Sequence, residues 1–176
     1  MAKTIRYASG QSSLGPFVAA TSDRGLAMLE FGDRNEAMMQ ALQGRFPDTE
    51  IVEDPAALGD TLARAADLID HPQDGRDLAL DLQGSTFELR VWNALREIPA
   101  GTTTSYGEIA ARLGVPREAR EVAEACAANS VAIAVPCHRV VKKDGSISGY
   151  RWGVARKRAL LASERKTGTN NPEKTG

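Results

Sequence analysis

The chain has 176 residues, of which 42% are hydrophobic, and its formal net charge is −1. This length suits one ordinary domain or two small lobes, and the apolar content excludes a chain that is disordered throughout. The longest mainly apolar stretch, residues 131–137, is too short to span a bilayer, and the first residues lack the apolar core of a signal peptide. We therefore expect a cytoplasmic protein that does not contact membranes.

The first 80 residues predict a small α/β lobe. Residues 17–20 and 26–31 have the composition of two strands, and the intervening residues 23–25 that of a turn. Residues 35–45 and 58–69 repeat apolar side chains at helical spacing. The sequence His-Pro-Gln-Asp-Gly at residues 71–75 is the best candidate for a linker to a second lobe.

Residues 84–166 predict a mainly helical lobe. Ser85, with Glu88 three positions later, has the form of a capping box at the start of one helix. Ser105 can cap a second helix, and Pro116 can begin a third that runs to about residue 128. These last two helices form a candidate helix-turn-helix, a pattern that also occurs in proteins that never bind DNA. Residues 167–176 have the composition of a disordered tail.

Charged and thiol side chains constrain the class of site. Residues 116–166 carry 11 Lys or Arg against 5 Asp or Glu, whereas the first 80 carry 7 against 13. The basic segment suits a polyanion-binding surface, although a solvated face would have the same composition. Two cysteines and two histidines do not provide a clustered zinc site, so we predict neither a metal nor a cofactor. Cys126, between alanines, is expected to be a small core residue.

The chemistry is expected at Cys137. This cysteine stands at the end of an apolar run, directly after a proline, and His138 follows it. A thiol attacks as the thiolate, whose fraction rises beside bases and cations. Adjacent strand residues point to opposite faces, so the two side chains can cooperate only if the backbone turns or a water bridges them. A buried cysteine beside a structural histidine would give the same dipeptide.

The surrounding sequence resembles a known family. Pro-Cys-His-Arg-Val-Val at residues 136–141 is similar to the active-site hexapeptide of the O6-alkylguanine-DNA alkyltransferases, most of all to their Ada-type members. Ala-Ala-Asn at 127–129 and Gly-Tyr-Arg-Trp-Gly at 149–153 agree with it, and the resemblance is specific over residues 84–164. It implies a ribonuclease-H-like α/β lobe over residues 1–80, a winged-helix-like domain with the helix-turn-helix over residues 84–166, and a monomer.

The resemblance also implies an activity and a set of catalytic residues. Such a protein moves a methyl or larger alkyl group from O6-alkylguanine, or from O4-alkylthymine, in double-stranded DNA to its own cysteine. Cys137 would be the acceptor, and His138 would take its proton through a water. Glu164 would hold this histidine and Asn129 would brace the turn. Because a thioether is a poor leaving group, one turnover per molecule is expected.

Substrate contacts follow from the same resemblance. Tyr106 would contact the base and drive its rotation out of the helix, and the carbonyls of Val140 and Cys137 would read the guanine amine. Tyr150 would form a wall of the pocket, and the backbone of Arg151 would donate to the substrate oxygen. We further expect the bulky indole of Trp152 to narrow the rim of the pocket.

Contacts to DNA are expected along the third helix. Arg120 would enter the base stack in place of the extruded guanine, and Ala119 and Ala123 would form a small face that approaches the groove. Three acids depart from the small residues usual for the family at this helix: Glu118, Glu121 and Glu124. We therefore expect weak, salt-sensitive binding. Most positive contacts are then expected from four other residues: Arg139, Lys142, Lys143 and Arg151.

Three other interpretations stay open at this point. A non-catalytic sensor of alkylguanine would lack the acceptor cysteine, which Cys137 argues against. A fragment of an Ada-type regulator would need an N-terminal metal-binding region that these 176 residues do not contain. A hydrolase that uses Cys137 and His138 would turn over repeatedly on an ester or thioester.

Overall fold

The computed structural model describes residues 3–74 and 78–168, which form two compact units. The first unit takes the residues up to 70 together with 78–83 and 130–132. The second takes residues 71–74, 84–129 and 133–168. Residue 75 of the predicted linker and residues 169–176 of the predicted tail lie outside the described residues.

The first unit is an α/β unit built on a four-stranded mixed sheet. Its strands are β1 (Thr4–Ser12), β2 (Gly15–Thr21), β3 (Leu26–Phe31) and β4 (Glu50–Glu53), in the order β3-β2-β1-β4. Neighbours pair antiparallel except β1 and β4, which are parallel. Helix α1 (Glu36–Arg45) buries Leu42 in a cluster with the sheet residues Ile5, Val18 and Met28, and helix α2 (Gly59–Asp70) packs on β1. The two predicted strands and two predicted helices are present, whereas β1 and β4 were not expected.

The outer edge of β3 is covered by two short segments of the same unit. Leu26 exchanges backbone hydrogen bonds of 2.8 Å with Ala79 and Asp81. Leu29 donates to Ser130 and accepts from Ala132, both at 2.9 Å. Residues 130–132 therefore belong to the first unit, although the residues on both sides of them in the sequence belong to the second.

The second unit is mainly helical, as predicted. Its helices are α3 (Thr86–Arg96), α4 (Tyr106–Arg112), α5 (Ala119–Ala127) and α6 (Val154–Gly168). A two-stranded parallel ladder pairs β5 (Thr104–Ser105) with β6 (Val140–Val141). The expected capping box is formed, since Ser85 accepts from Glu88 N at 3.1 Å and donates its own N–H to Glu88 Oε1 at 2.8 Å. Ser105 likewise caps α4.

The third predicted helix begins later than expected. Pro116 lies in a turn that includes a hydrogen bond of 2.9 Å from Glu118 N to Val115 O, and helical geometry starts at Ala119. Gly114, with φ of 79°, supplies the left-handed residue that ends α4. Helix α6 continues to Gly168, so it includes the first two residues of the predicted tail. No helix among the described residues is long and apolar enough to cross a membrane.

Candidate active site

Cys137 lies where the backbone turns. It is the first residue of a short 3-10 turn, Cys137–Arg139, which follows Pro136 and leads into β6. The residue is 6% exposed, and its Sγ accepts a hydrogen bond of 3.3 Å from Asn129 Nδ2. The same amide nitrogen donates to Val135 O at 3.0 Å. One asparagine side chain therefore holds the sulfur and the backbone that precedes it.

The surroundings of Cys137 favour the neutral thiol at rest. Burial raises the pKa of the thiol, and this effect outweighs the hydrogen bond from Asn129 and the positive charge of Lys157, which both lower it. A thiolate is the reactive form of cysteine. Reaction at this sulfur therefore needs a base that accepts the thiol proton.

A buried base lies next in the chain. His138 is fully buried, and its Nε2 lies 3.0 Å from Glu164 Oε2. Its Nδ1 has no hydrogen-bond partner among the described residues. Burial lowers the pKa of His138 more than the hydrogen bond and charge of Glu164 raise it, so the imidazole is neutral at neutral pH.

Glu164 is held ionised by two partners. Burial alone would raise the pKa of this carboxyl, but hydrogen bonds from His138 and Arg139, together with the positive charge of Arg139, bring it below its usual value. Arg139 donates from Nε to both carboxylate oxygens, at 3.2 and 3.0 Å, and from Nη2 to Oε2 at 2.5 Å. Its Nη1 donates to Ile98 O at 2.7 Å. The site therefore combines a neutral imidazole with a buried carboxylate that would stabilise its protonated form.

Lys157 is a fully buried charge that sequence reasoning missed. Its Nζ donates to Val140 O at 2.6 Å, to Ser148 Oγ at 3.1 Å and to Gly149 O at 3.3 Å. Burial lowers the pKa of this ammonium. A signal was available, because residues 157, 160, 161 and 164 have the spacing of one helical face.

A cleft of about 370 Å³ opens beside Cys137, within the range of small-ligand sites, about 300–1,000 Å³. Its lining residues all belong to the second unit: Tyr106, Ala123, Cys126, Ala127, Cys137, Gly149, Tyr150 and Arg151. Four residues expected at the substrate or the DNA are thus brought together with Cys137: Tyr106, Ala123, Tyr150 and Arg151. Cys126 also faces this cleft, although it is 7% exposed and packs as a core residue.

Two expected substrate contacts lie elsewhere. Trp152 is 7% exposed, is not part of the cleft lining, and packs edge-on against Tyr150 with ring centroids 5.3 Å apart. The expectation that its indole narrows the rim was therefore wrong, because the ring is packed inside the unit. Val140 does not line the cleft either, and its carbonyl accepts a hydrogen bond from the ammonium of Lys157.

The expected DNA contacts divide into buried and exposed groups. Arg139 is 8% exposed and bound to Glu164 and Ile98, so assigning it to phosphates was wrong. Arg120, in contrast, has a side chain that is 88% exposed and lies 3.7 Å from Glu124, an ion pair open to solvent. Ala119, beside it at the start of α5, is half-buried.

The acids of α5 also lie differently from expectation. Because the helix begins at Ala119, Glu121 lies in its first turn, where a carboxylate complements the helix dipole. The sequence had placed the start of this helix at Pro116, which would leave Glu121 beyond the first turn. Glu118 is the N-cap residue, but its side chain makes no capping hydrogen bond.

The chain is similar to several known proteins and to one family model. Residues 86–166 match the family described as 6-O-methylguanine DNA methyltransferase, DNA binding domain. The chain is 37% identical over 153 residues to the inducible methylated-DNA–protein-cysteine methyltransferase of Bacillus subtilis, covering 85% of this chain and 84% of that one. It is 40% identical over 160 residues to the bifunctional transcriptional activator/DNA repair enzyme Ada of Escherichia coli, covering 91% of this chain.

The chain spans about half the length of the Ada proteins that it matches, 45% and 46%. Among solved structures, the Mycobacterium tuberculosis OGT in complex with DNA superposes with a TM-score of 0.76 and 35% sequence identity, covering 93% of each chain. The match to the Bacillus protein extends over most of both sequences. This chain is therefore a member of the methylated-DNA–protein-cysteine methyltransferase family.

Proposed function

We propose that this protein repairs alkylated DNA by direct reversal. The alkyl group moves from O6 of guanine, or from O4 of thymine, to Sγ of Cys137 and stays there. The observation that carries the proposal is a fixed cysteine at a cleft, with a buried histidine and a buried carboxylate behind it. Relatives named for this reaction, one of them covered over 84% of its length, support it.

The proton and the electron pairs can be followed through the reaction. His138 takes the thiol proton through a bridging water at Nδ1, since its Nε2 is bound to Glu164. The sulfur then forms a bond to the alkyl carbon while the carbon–oxygen bond breaks and its electron pair leaves with guanine. Glu164 stabilises the imidazolium produced. Because a thioether is a poor leaving group, the alkyl group stays on Cys137 and each molecule reacts once.

Access to the alkyl carbon requires the base to leave the duplex, at a cost of a few kcal/mol. Tyr106, which lines the cleft, would contact the rotated base, and exposed Arg120 would fill the gap in the stack. Helices α4 and α5 would act as the helix-turn-helix, with Ala119 and Ala123 toward the groove. The DNA complex of the Mycobacterium tuberculosis protein supports DNA as the partner.

The domain assignment is a further part of the proposal. Residues 84–166 would form the winged-helix-like alkyltransferase domain and residues 1–80 a ribonuclease-H-like lobe. The protein would act as a monomer without a cofactor. A reducing cytoplasmic location would suit the reaction, because both cysteines are free and the acceptor must stay a thiol.

Intact-mass measurement after incubation with O6-methylguanine duplex DNA tests the proposal. We expect a gain of one CH₂ per molecule, found by peptide mapping on Cys137 alone. Cys126→Ala is the matched control, since this second thiol faces the same cleft and burial raises its pKa well above the ordinary value. That variant should react as the wild type does, and Cys137→Ala should bind DNA without gaining mass.

Two outcomes would overturn the proposal. Methylation of Cys126 in place of Cys137 would reassign the acceptor. Repeated turnover by one molecule, on DNA or on an ester or thioester, would favour the hydrolase interpretation.

A further inference from the structure

Three polar side chains of the second unit form a continuous chain of hydrogen bonds from the interior to the cleft. Lys157 Nζ, which is buried in α6, donates to Ser148 Oγ at 3.1 Å. Ser148 Oγ lies 2.8 Å from the hydroxyl of Tyr106. The Tyr106 side chain lines the cleft that also contains Cys137.

The donors and acceptors of these groups fix the direction of the chain of hydrogen bonds. An ammonium has donors and no acceptor, so Ser148 Oγ accepts from Lys157. In the described part of the chain, the remaining partner of this oxygen is Tyr106, which therefore receives the serine hydrogen. The Tyr106 oxygen then acts as an acceptor, and its own hydrogen is available to the cleft.

A charged donor at the buried end strengthens the bonds that follow it. Each hydrogen bond in such a chain polarises the next, and the effect grows when the chain is withdrawn from water. Ser148 and Tyr106 are both half-buried. Burial raises the pKa of the Tyr106 phenol, and the hydrogen bond from Ser148 counteracts this by lowering it. The tyrosine hydrogen is thereby made a better donor than an isolated phenol in the same place.

We propose that Ser148 is a positioning residue that couples the buried Lys157 ammonium to Tyr106, so that Tyr106 donates more strongly to the guanine leaving group. This inference rests on the proposed function above. As the carbon–oxygen bond breaks, negative charge develops on the base, and a stronger donor stabilises it more in the transition state than in the ground state. The tyrosine keeps its proton, and no bond to hydrogen is broken in this step.

Ser148→Ala removes the middle link alone. Lys157 keeps its bonds to Val140 O and Gly149 O, so the loop beside the cleft stays attached to α6. Ser146→Ala is the matched control, because this serine lies two residues earlier and its hydroxyl donates to Asp144 Oδ1 on the exposed surface. Both variants delete one hydroxyl from the same loop.

The experiment measures single-turnover transfer against the concentration of methylated duplex DNA, which separates binding from the rate constant at saturation. We expect Ser148→Ala to lower the saturating rate constant by roughly fivefold to tenfold, the range of a single hydrogen bond, with an unchanged DNA Kd. Ser146→Ala should match the wild type in both. Ser148→Thr, which keeps the hydroxyl, should recover most of the rate.

A double-mutant cycle with Tyr106→Phe decides whether the effect passes through the tyrosine. Because Tyr106→Phe has no hydroxyl for Ser148 to polarise, adding Ser148→Ala to it should cause no further loss of rate. An equal loss in both backgrounds would overturn the inference, as would a wild-type rate for Ser148→Ala or an equally slow Ser148→Thr. These results leave wild-type methylation of Cys137 intact, so they differ from a failure of the proposed function, in which the wild type itself gains no CH₂.

Discussion

Replacing Glu164 by glutamine would test how much of this site depends on one buried charge pair. The Arg139–Glu164 pair has a shortest N–O distance of 2.5 Å, with side chains 10% and 0% exposed. The protein also contains a surface pair of similar length, Arg112–Glu97, at 2.7 Å, with side chains 48% and 64% exposed. The two pairs differ mainly in burial, so Glu97→Gln is the matched control for Glu164→Gln.

Burial sets the expected magnitude. Removing one partner of a buried ion pair costs about 3–5 kcal/mol, because the other charge is left without compensation. Glutamine keeps the shape of Glu164, but it replaces one of the oxygens that Arg139 and His138 bind with an amide donor. An exposed pair is worth less than about 1 kcal/mol because water solvates the charge that remains.

Urea unfolding at neutral pH measures both costs. We expect Glu164→Gln to lower the free energy of unfolding by about 3–5 kcal/mol, and Glu97→Gln by under about 1 kcal/mol. The Glu164 variant should also transfer methyl groups slowly at temperatures where it is folded, since the imidazolium of His138 loses its counter-charge. Similar losses for the two variants would refute the argument that burial makes the inner pair decisive.

Three further predictions concern the packing, the DNA surface and the pH dependence. Trp152→Ala should cost about 3–5 kcal/mol in urea unfolding and should not speed the reaction with free O6-benzylguanine, because the indole is packed against Tyr150. A faster reaction would show that the indole does restrict access. Arg120→Ala should slow repair of duplex DNA far more than reaction with a free alkylguanine base, and equal losses would refute its role in the stack. Burial lowers the pKa of His138, so at about pH 6.5 the unfolded chain binds a proton that the folded chain does not. The free energy of unfolding should therefore decrease as the pH is lowered from about 7.5 to about 5.5. Equal urea midpoints at the two pH values would contradict this.

Local signals explain which elements of the fold could be predicted. The turn at residues 23–25 and the apolar runs beside it predict β2 and β3, and Ser85 marks the start of α3 through a capping box within four residues. Strand β1 carries polar and small residues at many positions, and β4 has four residues. Strand β1 forms a hairpin with the adjacent β2, yet few of its residues are apolar, and β4 depends on a parallel ladder with β1 that no short window of sequence contains.

A sequence motif pointed to part of the candidate site, whereas the residues whose role depends on burial were not predicted. The hexapeptide pointed to Cys137 and His138, but the composition of a basic segment alone does not separate a solvated basic side chain from a buried one. The sequence therefore placed Arg139 among the DNA contacts although it binds Glu164, and it gave no role to Lys157, which is buried. The helical spacing from residue 157 to residue 164 was the signal that could have corrected this.

The arrangement of charges would keep the Cys137 thiol unreactive until the substrate binds. A thiolate held ready would react with any electrophile, but burial keeps the Cys137 thiol protonated. In the proposed reaction, the charge would be created when His138, itself kept neutral by burial, accepts the proton, and ionised Glu164 would stabilise the resulting cation. Separation of charge would thus be tied to the step in which guanine leaves while the base is bound in the cleft. For a protein that we infer reacts once, a thiol that ionises with its substrate loses fewer molecules to unproductive alkylation than a standing thiolate would.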